Sequence, residues 1–307
     1  MIEKQLQKHG LSKPIELAVI GGSGLYSMDA LTHKREIWIE TPFGTPSDAL
    51  IVAEIKHDDG STPTPCVFLA RHARGHRFLP TEVNYRANIW ALKSIGVRFI
   101  VSVSAVGSLK AEIAPGDLVC PDQFIDRTIH RQNSFFGNGV VGHVAFGDPI
   151  SKELQKVIYQ SALDVVSCKT HLDGTYLCIE GPAFSTKAES RLYQQWGASI
   201  IGMTNLPEAK LAREAEIAYA TLALATDYDC WHPDHDQVTV EAVMQVMKQN
   251  VSNAQKVICE VARRFDGFRG NVFLAHSALG GGMAVMSDVA LIPENTRRQL
   301  DLILGGY

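Results

Sequence analysis

Ile217-Ala-Tyr-Ala-Thr-Leu-Ala-Leu-Ala-Thr226 is a run of small and β-compatible residues that passes directly into Asp227-Tyr-Asp229. An apolar stretch of this length without strict alternation reads as a strand covered on both faces, the centre of a sheet with helices against it. The flanking sequence agrees. Glu208 to Ala215 has helical spacing, and Thr239 to Phe265 carries Val240, Val243, Met244, Met247, Val251, Ile258 and Val261 on or near one helical face. Towards the N-terminus the same alternation continues. Strands are expected at Ile15–Ile20, Ile37–Ile39, Ala49–Ile55, Cys66–Ala70, Phe99–Val103, Asp117–Cys120, Thr175–Ile179 and Ser199–Ile201, and helices at Asn84–Ile95, Ser151–Val165 and Thr186–Trp196. No Pro-, Gly- or Ser-rich linker interrupts the pattern, which specifies an α/β fold: a single domain with a large mixed central β-sheet flanked by helices. Only the stretch after Phe268, with Gly280-Gly-Gly282, gives no readable pattern.

Composition narrows the function. Of 307 residues, 46% are hydrophobic and 20% charged, an ordinary globular balance. Lys and Arg number 29 against 33 Asp and Glu, so no basic excess is available to grip a nucleic acid. No run approaches the roughly 18 apolar residues of a membrane span, and Met1–Lys8 lacks the apolar core of a secretory leader, so a cytoplasmic protein is expected. The six cysteines are scattered and mostly in apolar surroundings, which reads as buried thiols in a reducing compartment rather than zinc ligands or disulfides.

The expected strands run into polar clusters at their C-terminal sides: Gly22-Ser-Gly24, Arg71-His72, Ser104-Ala-Val-Gly107, Met203-Thr204 and Thr226-Asp-Tyr-Asp229. Ligands of open α/β sheets bind outside the carboxyl ends of strands, so these clusters are expected to share one pocket. Ser23, Ser104 and Thr204 supply hydroxyls, Arg71 a fixed cation with a planar fork of donors, and the glycines bare backbone amides. That set suits a tetrahedral oxyanion such as phosphate. Asp227 and Asp229 would repel it and are expected to face a nitrogen heterocycle. Each piece also has a plainer reading: a tight turn at Gly22–Gly24, a surface pair at Arg71-His72, a capping Ser104, ion pairs at the two acids. Gly22-Ser-Gly24 is also a partial dinucleotide fingerprint, but Ser27 stands where its third glycine belongs and Leu25–Arg35 is short for a crossover helix. His232-Pro-Asp-His-Asp236 carries metal-ligand residue types but reads first as a solvated polar loop. No G-x-S-x-G elbow supports a serine hydrolase.

Taken together the motifs are similar to those of the S-methyl-5′-thioadenosine phosphorylases, trimeric members of the purine nucleoside phosphorylase superfamily. The resemblance rests on Ile20-Gly-Gly-Ser-Gly-Leu25, Thr41-Pro-Phe-Gly44, Leu69-Ala-Arg-His72, Val83-Asn-Tyr85, Ala87-Asn-Ile-Trp-Ala-Leu92, Asp122-Gln-Phe-Ile-Asp-Arg-Thr128, Ile179-Glu-Gly-Pro182, Phe184-Ser185, Met203-Thr204, Pro207-Glu208 and Ala225-Thr-Asp-Tyr-Asp-Cys-Trp231, and runs from about Leu17 to Met247. It implies phosphate among Ser23, Arg71, His72, Ser104, Ala105 and Thr204. Met203 would lie against the ribose, Phe184 and Ser185 beside the base, and Asp227 and Asp229 on the adenine edge. Val240, Val243 and Met244 would line the methylthio end, together with His143 from a neighbouring subunit of a homotrimer. It divides the chain into an N-terminal extension (1–13), the nucleoside phosphorylase domain (14–267) and a tail (268–307) packed on the domain or a subunit interface. Three departures stand out: Gly202 where many members carry Asn, a longer loop at Lys56–Pro65, and the tail.

The reaction implied is phosphorolysis of S-methyl-5′-thioadenosine by a pentosyltransferase. Inorganic phosphate is the co-substrate, no metal or organic cofactor is needed, and Asp227, with a raised pKa, is the acid for the leaving base. The nearest alternative is the same chemistry on 6-oxopurine nucleosides or methylthioinosine. The Asp pair argues for adenine, whose N6 donor a carboxylate accepts. A hydrolytic nucleosidase would leave Arg71 and the hydroxyls without a use. A catalytically inert nucleoside binder or a nicotinamide-dependent oxidoreductase are the remaining classes.

Overall fold

A computed structural model describes residues 1–232, 240–280 and 283–305, with the backbone alone for 23, 240–244 and 289. Its strands are β1 (Leu17–Gly21), β2 (Leu31–Ile37), β3 (Leu50–Ile55), β4 (Thr64–Ala70), β5 (Phe99–Ser108), β6 (Leu118–Cys120), β7 (Gln123–Arg127), β8 (Thr170–Leu172), β9 (Thr175–Ile179), β10 (Ile200–Gly202) and β11 (Ala218–Asp227). The helices are α1 (Ile2–Lys8), α2 (Tyr85–Ser94), α3 (Lys152–Val165), α4 (Lys187–Gln195), α5 (Asn205–Glu214), α6 (Val240–Arg263), α7 (Phe265–Phe268) and α8 (Glu294–Leu304). All eleven strands form one mixed sheet, in the order β2-β3-β4-β1-β5-β10-β9-β7, with β11 on the other edge of β5 and β6 and β8 beyond it. The sequence reading of the fold class holds, and β11 is the buried central strand that its composition predicts.

Helix ends follow local chemistry. Asn84 accepts from the Ala87 N–H at 3.1 Å to start α2, and the chain leaves that helix through Gly96 at φ +94°. Thr186 and Glu189 form a reciprocal cap at the start of α4. Helices α3 and α6 pack on each other and on β11, while α2 packs with α5 and α8.

Four expectations need correction. The second strand is 31–37, not 37–39: its middle residues are polar and exposed on the sheet edge, so no burial pattern marks it in sequence. This strand fills much of the segment where a dinucleotide fold would need a helix. β7 and β8 were not foreseen, the first because its residues are only half-buried and the second because it has 3 residues. The tail is not patternless: α8 buries Leu300, Ile303 and Leu304, each adding about 1.5–3 kcal/mol by removal from water. Finally, β5 does not stop at Val103. It runs on to Ser108 because β11 continues to pair with it.

Candidate active site

The extra length of β5 builds the site. On one edge β5 pairs with β1 only through Ser102, and with β10 only from Gly107 onward. Between these contacts Val103–Val106 has no strand neighbour on that side, so part of its backbone faces a gap. β1, β4, β5 and β11 are parallel and bring Gly22, Arg71-His72 and Asp227 to the gap from one direction. β10 is antiparallel to β5 and delivers Met203 and Thr204 from the opposite direction, so the expectation of strand ends all on one side holds for four strands and fails for β10. The five clusters nevertheless line one cavity of about 610 Å³, together with His76, Pro80, Pro182 and Val251.

At one end hydroxyls collect. Ser104 Oγ lies 3.3 Å from Thr204 Oγ1 and 3.1 Å from the hydroxyl of the fully buried Tyr176. Ala105 lines the cavity beside them. Ser23 opens a 3₁₀ turn after Gly22, and its side chain lies outside the described residues. Arg71 sits differently from the expectation of a guanidinium fork free for an anion. Its Nε and Nη2 bond both oxygens of buried Glu208 at 2.7 and 2.9 Å, Nη2 also reaches Ser102 Oγ, and Nη1 donates to the Val103 carbonyl. Burial opposes the Arg71 charge, but Glu208 outweighs it and the pKa is raised. The fork is thus occupied, and Arg71 brings the cavity its charge and the remaining N–H of Nη1. His72 directs Nδ1 at the Phe78 carbonyl at 2.8 Å, stacks on His76, and is pushed down to about 4 by burial and then by Arg71. At neutral pH it is a neutral imidazole that donates at Nδ1 and can accept at Nε2.

At the other end lie the acids. Asp227 accepts from the Thr226 hydroxyl at 2.6 Å and from the Asp229 N–H at 2.8 Å. Gly107 makes the room, since a methyl there would stand 3.0 Å from Asp227 Oδ1 and 3.3 Å from Asp229 Cβ. Burial raises the Asp229 carboxyl, with Asp227 adding to it. Phe184, 83% exposed, Ser185 and Met203 also line the cavity. Buried Arg131 pins this wall by donating to the carbonyls of Met203 and Leu206, both at 2.6 Å.

Comparison with known proteins fits this geometry. The model of the Phosphorylase superfamily matches residues 16–263. The S-methyl-5′-thioadenosine phosphorylase of Geobacter sulfurreducens is 55% identical over 95% of this chain and 98% of its own. That of Thermosynechococcus vestitus is 52% identical over 95% and 99%. The chain belongs to the phosphorylase superfamily, in its S-methyl-5′-thioadenosine phosphorylase family. Among solved structures, a methylthioadenosine phosphorylase from an antarctic soil metagenomic library superposes with a TM-score of 0.89 at 47% identity, covering 95% of this chain and all of that one. The Schistosoma mansoni methylthioadenosine phosphorylase in complex with adenine has a TM-score of 0.75 at 29% identity, over 95% and 98%.

Other residues expected of a phosphorylase of this family lie elsewhere or beyond description. The side chains of Val240, Val243 and Met244 are outside the described residues, and so is most of His232–Asp236. Met247 and Val251, further along α6, line the cavity instead. His143 is exposed, its N–H on the Ala284 carbonyl, and is not part of the cavity of its own chain. Among the described residues no group of three His, Cys, Asp or Glu is placed to hold a metal. The sequence reading missed Glu208, Ser102, Tyr176 and Arg131 as supports of the site. Their signal was a polar group inside an apolar strand (Ser102, Tyr176) or inside a quoted motif with no role attached to it (Glu208).

Proposed function

We propose that this protein cleaves S-methyl-5′-thioadenosine with inorganic phosphate, giving adenine and 5-methylthioribose 1-phosphate. The observation that carries the reading is one cavity with a hydroxyl and arginine cluster at one end and an acid pair at the other. Phosphate is assigned to Ser104, Thr204, Ala105, Arg71, His72 and Ser23, the nucleoside to Met203, Phe184, Ser185, Asp227 and Asp229. The C1′–N9 bond breaks with its electron pair going to the purine, and a phosphate oxygen forms the new bond to C1′. Fixed donors hold the phosphate dianion against the positive charge that develops on the sugar. Neutral His72 offers Nε2 to the hydrogen of a phosphate P–OH or of a ribose hydroxyl. Asp227 and Asp229 hold the adenine edge, and Asp227 supplies a proton towards N7 as the base leaves.

Written this way the reaction needs no metal or organic cofactor. The open cavity mouth with its exposed Phe184 suits a homotrimer in which His143 and the methylthio-end residues Val240, Val243 and Met244 complete the pocket from two subunits. The six cysteines are free, which suits a reducing cytoplasm, and no described helix is long and apolar enough to cross a membrane.

The test is purine release from methylthioadenosine, adenosine, methylthioinosine and inosine, each with and without phosphate. Fast, phosphate-dependent adenine release from methylthioadenosine is expected. Preference for the inosine forms would refute the acid-pair argument, and phosphate-independent release would make the protein a nucleosidase.

A further inference from the structure

At Gly202 the structure leaves no room for a side chain. A Cβ on Gly202 would stand 2.0 Å from the hydroxyl oxygen of Tyr176 and 2.6 Å from its Cζ. No rearrangement of a side-chain tip relieves that, because the Tyr176 ring is fully buried and held edge-on by Phe124 at 5.7 Å. The space that Gly202 leaves is filled by a hydroxyl that lies 3.1 Å from Ser104 Oγ and also accepts from the Thr204 backbone N–H. Tyr176 does not line the cavity; Ser104 and Gly202 do.

We propose that Tyr176 is a positioning residue for phosphate, acting through Ser104, and that Gly202 is the clearance that lets it reach. The inference rests on the assignment of phosphate to Ser104 and Thr204. A hydroxyl has one hydrogen and two lone pairs. Facing an anion, Ser104 must direct its hydrogen into the cavity, which leaves its lone pairs to be satisfied from behind. The Tyr176 O–H is the donor placed to do so, and burial, by raising its pKa, keeps it protonated. Without that donor Ser104 can turn its hydrogen towards the Ala105 carbonyl at 3.4 Å or towards Thr204 at 3.3 Å instead of towards phosphate. A chain of Tyr176 to Ser104 to phosphate also polarises each bond by the next.

The test is a double-mutant cycle on steady-state kinetics with methylthioadenosine and phosphate varied separately. Tyr176→Phe removes one oxygen and keeps the ring. The phosphate KM is expected to rise about three- to tenfold, the value of one neutral hydrogen bond, with the nucleoside KM and the kcat at saturating phosphate within about twofold. In a Ser104→Ala background the same substitution is expected to change the phosphate KM by less than about twofold, because the hydroxyl it acts through is gone. An unchanged phosphate KM in Tyr176→Phe, or an equal rise with and without Ser104, overturns the proposal while leaving the phosphate site in place. An unchanged phosphate KM in Ser104→Ala locates the fault instead in the assignment of phosphate to that residue, and the proposal falls with it.

Discussion

Glu208→Gln is the most informative single change, because it separates what holds the site together from what binds in it. The Glu208 carboxylate is buried and accepts from Arg71 twice, from Ser102 at 2.8 Å and from the Tyr219 hydroxyl at 2.9 Å. An amide keeps the shape, but its NH₂ must face an N–H of Arg71 or a hydroxyl that was donating. The guanidinium is then left as a buried cation without a counter-charge. Breaking a buried pair on one side costs about 3–5 kcal/mol. For a chain of 307 residues, with an unfolding entropy of about 2.1 cal/mol/K per residue, that lowers the melting temperature by about 5–8 °C. The charge is not lost, however. It lies beside the proposed phosphate position, and a bound dianion replaces the missing carboxylate. Phosphate at about a hundred times its dissociation constant stabilises any protein that binds it by about 2.7 kcal/mol. In the variant the increment at the same phosphate concentration should be larger than in the wild type, since affinity rises with the uncompensated charge. The assay is thermal denaturation of both proteins with and without phosphate at fixed ionic strength. A phosphate increment in Glu208→Gln no larger than that of the wild type would refute the placement of phosphate beside Arg71, and an undiminished melting temperature would refute the buried pair.

Three further outcomes follow from the same geometry. Asp227→Ala is expected to fold normally and to lose roughly a hundredfold or more in kcat/KM on methylthioadenosine; activity near the wild type removes Asp227 from the reaction. Asp227→Asn offers a donor where the carboxylate accepted, so the ratio of inosine-type to adenosine-type turnover should rise, and an unchanged ratio refutes recognition of the base by this side chain. His72 has a folded pKa depressed to about 4 from an ordinary 6.5, so its contribution to stability is present above pH 6.5 and is lost as the pH falls through about 4. His72→Gln should therefore flatten the stability profile of the phosphate-free protein between those values, and denaturation curves that keep the wild-type slope would show that the imidazole is not held neutral.

The parts of the site legible in sequence were those fixed by the chemistry of the ligand itself. Hydroxyls, acids and glycines at strand ends announce themselves because nothing else in an apolar strand needs them, and Ser104, Thr204, Asp227 and Gly107 all line the cavity. What the sequence hid was the pairing. Whether β10 runs with or against β5 is decided by contacts between residues about 90 apart, and no local pattern carries that information. The pairing of Arg71 was hidden for the same reason, since its partner Glu208 is 137 residues away. An arginine after a buried strand looks like an anion donor until the carboxylate that occupies its fork is in view.

The occupied fork bears on how such a site can bind phosphate without being destabilised when empty. A free buried guanidinium would be an unpaired charge in the substrate-free protein. Glu208 removes that penalty, at the expense of part of the attraction for the anion. The remaining attraction must then come from the last N–H of the compensated Arg71 guanidinium and from neutral donors: the hydroxyls of Ser104 and Thr204, and backbone amides where β5 lacks a neighbour. Neutral donors bind an anion well only if each is already pointed at it, because turning a hydroxyl away costs as much as the bond contributes. Behind the cavity, buried groups hold its lining in place: Ser102 and Tyr219 on Glu208, Tyr176 on Ser104, and Arg131 on the carbonyls of Met203 and Leu206. The residues that line the cavity could be read from strand ends. The residues that make them effective lie one layer deeper, in the apolar strands that composition alone assigns to the core.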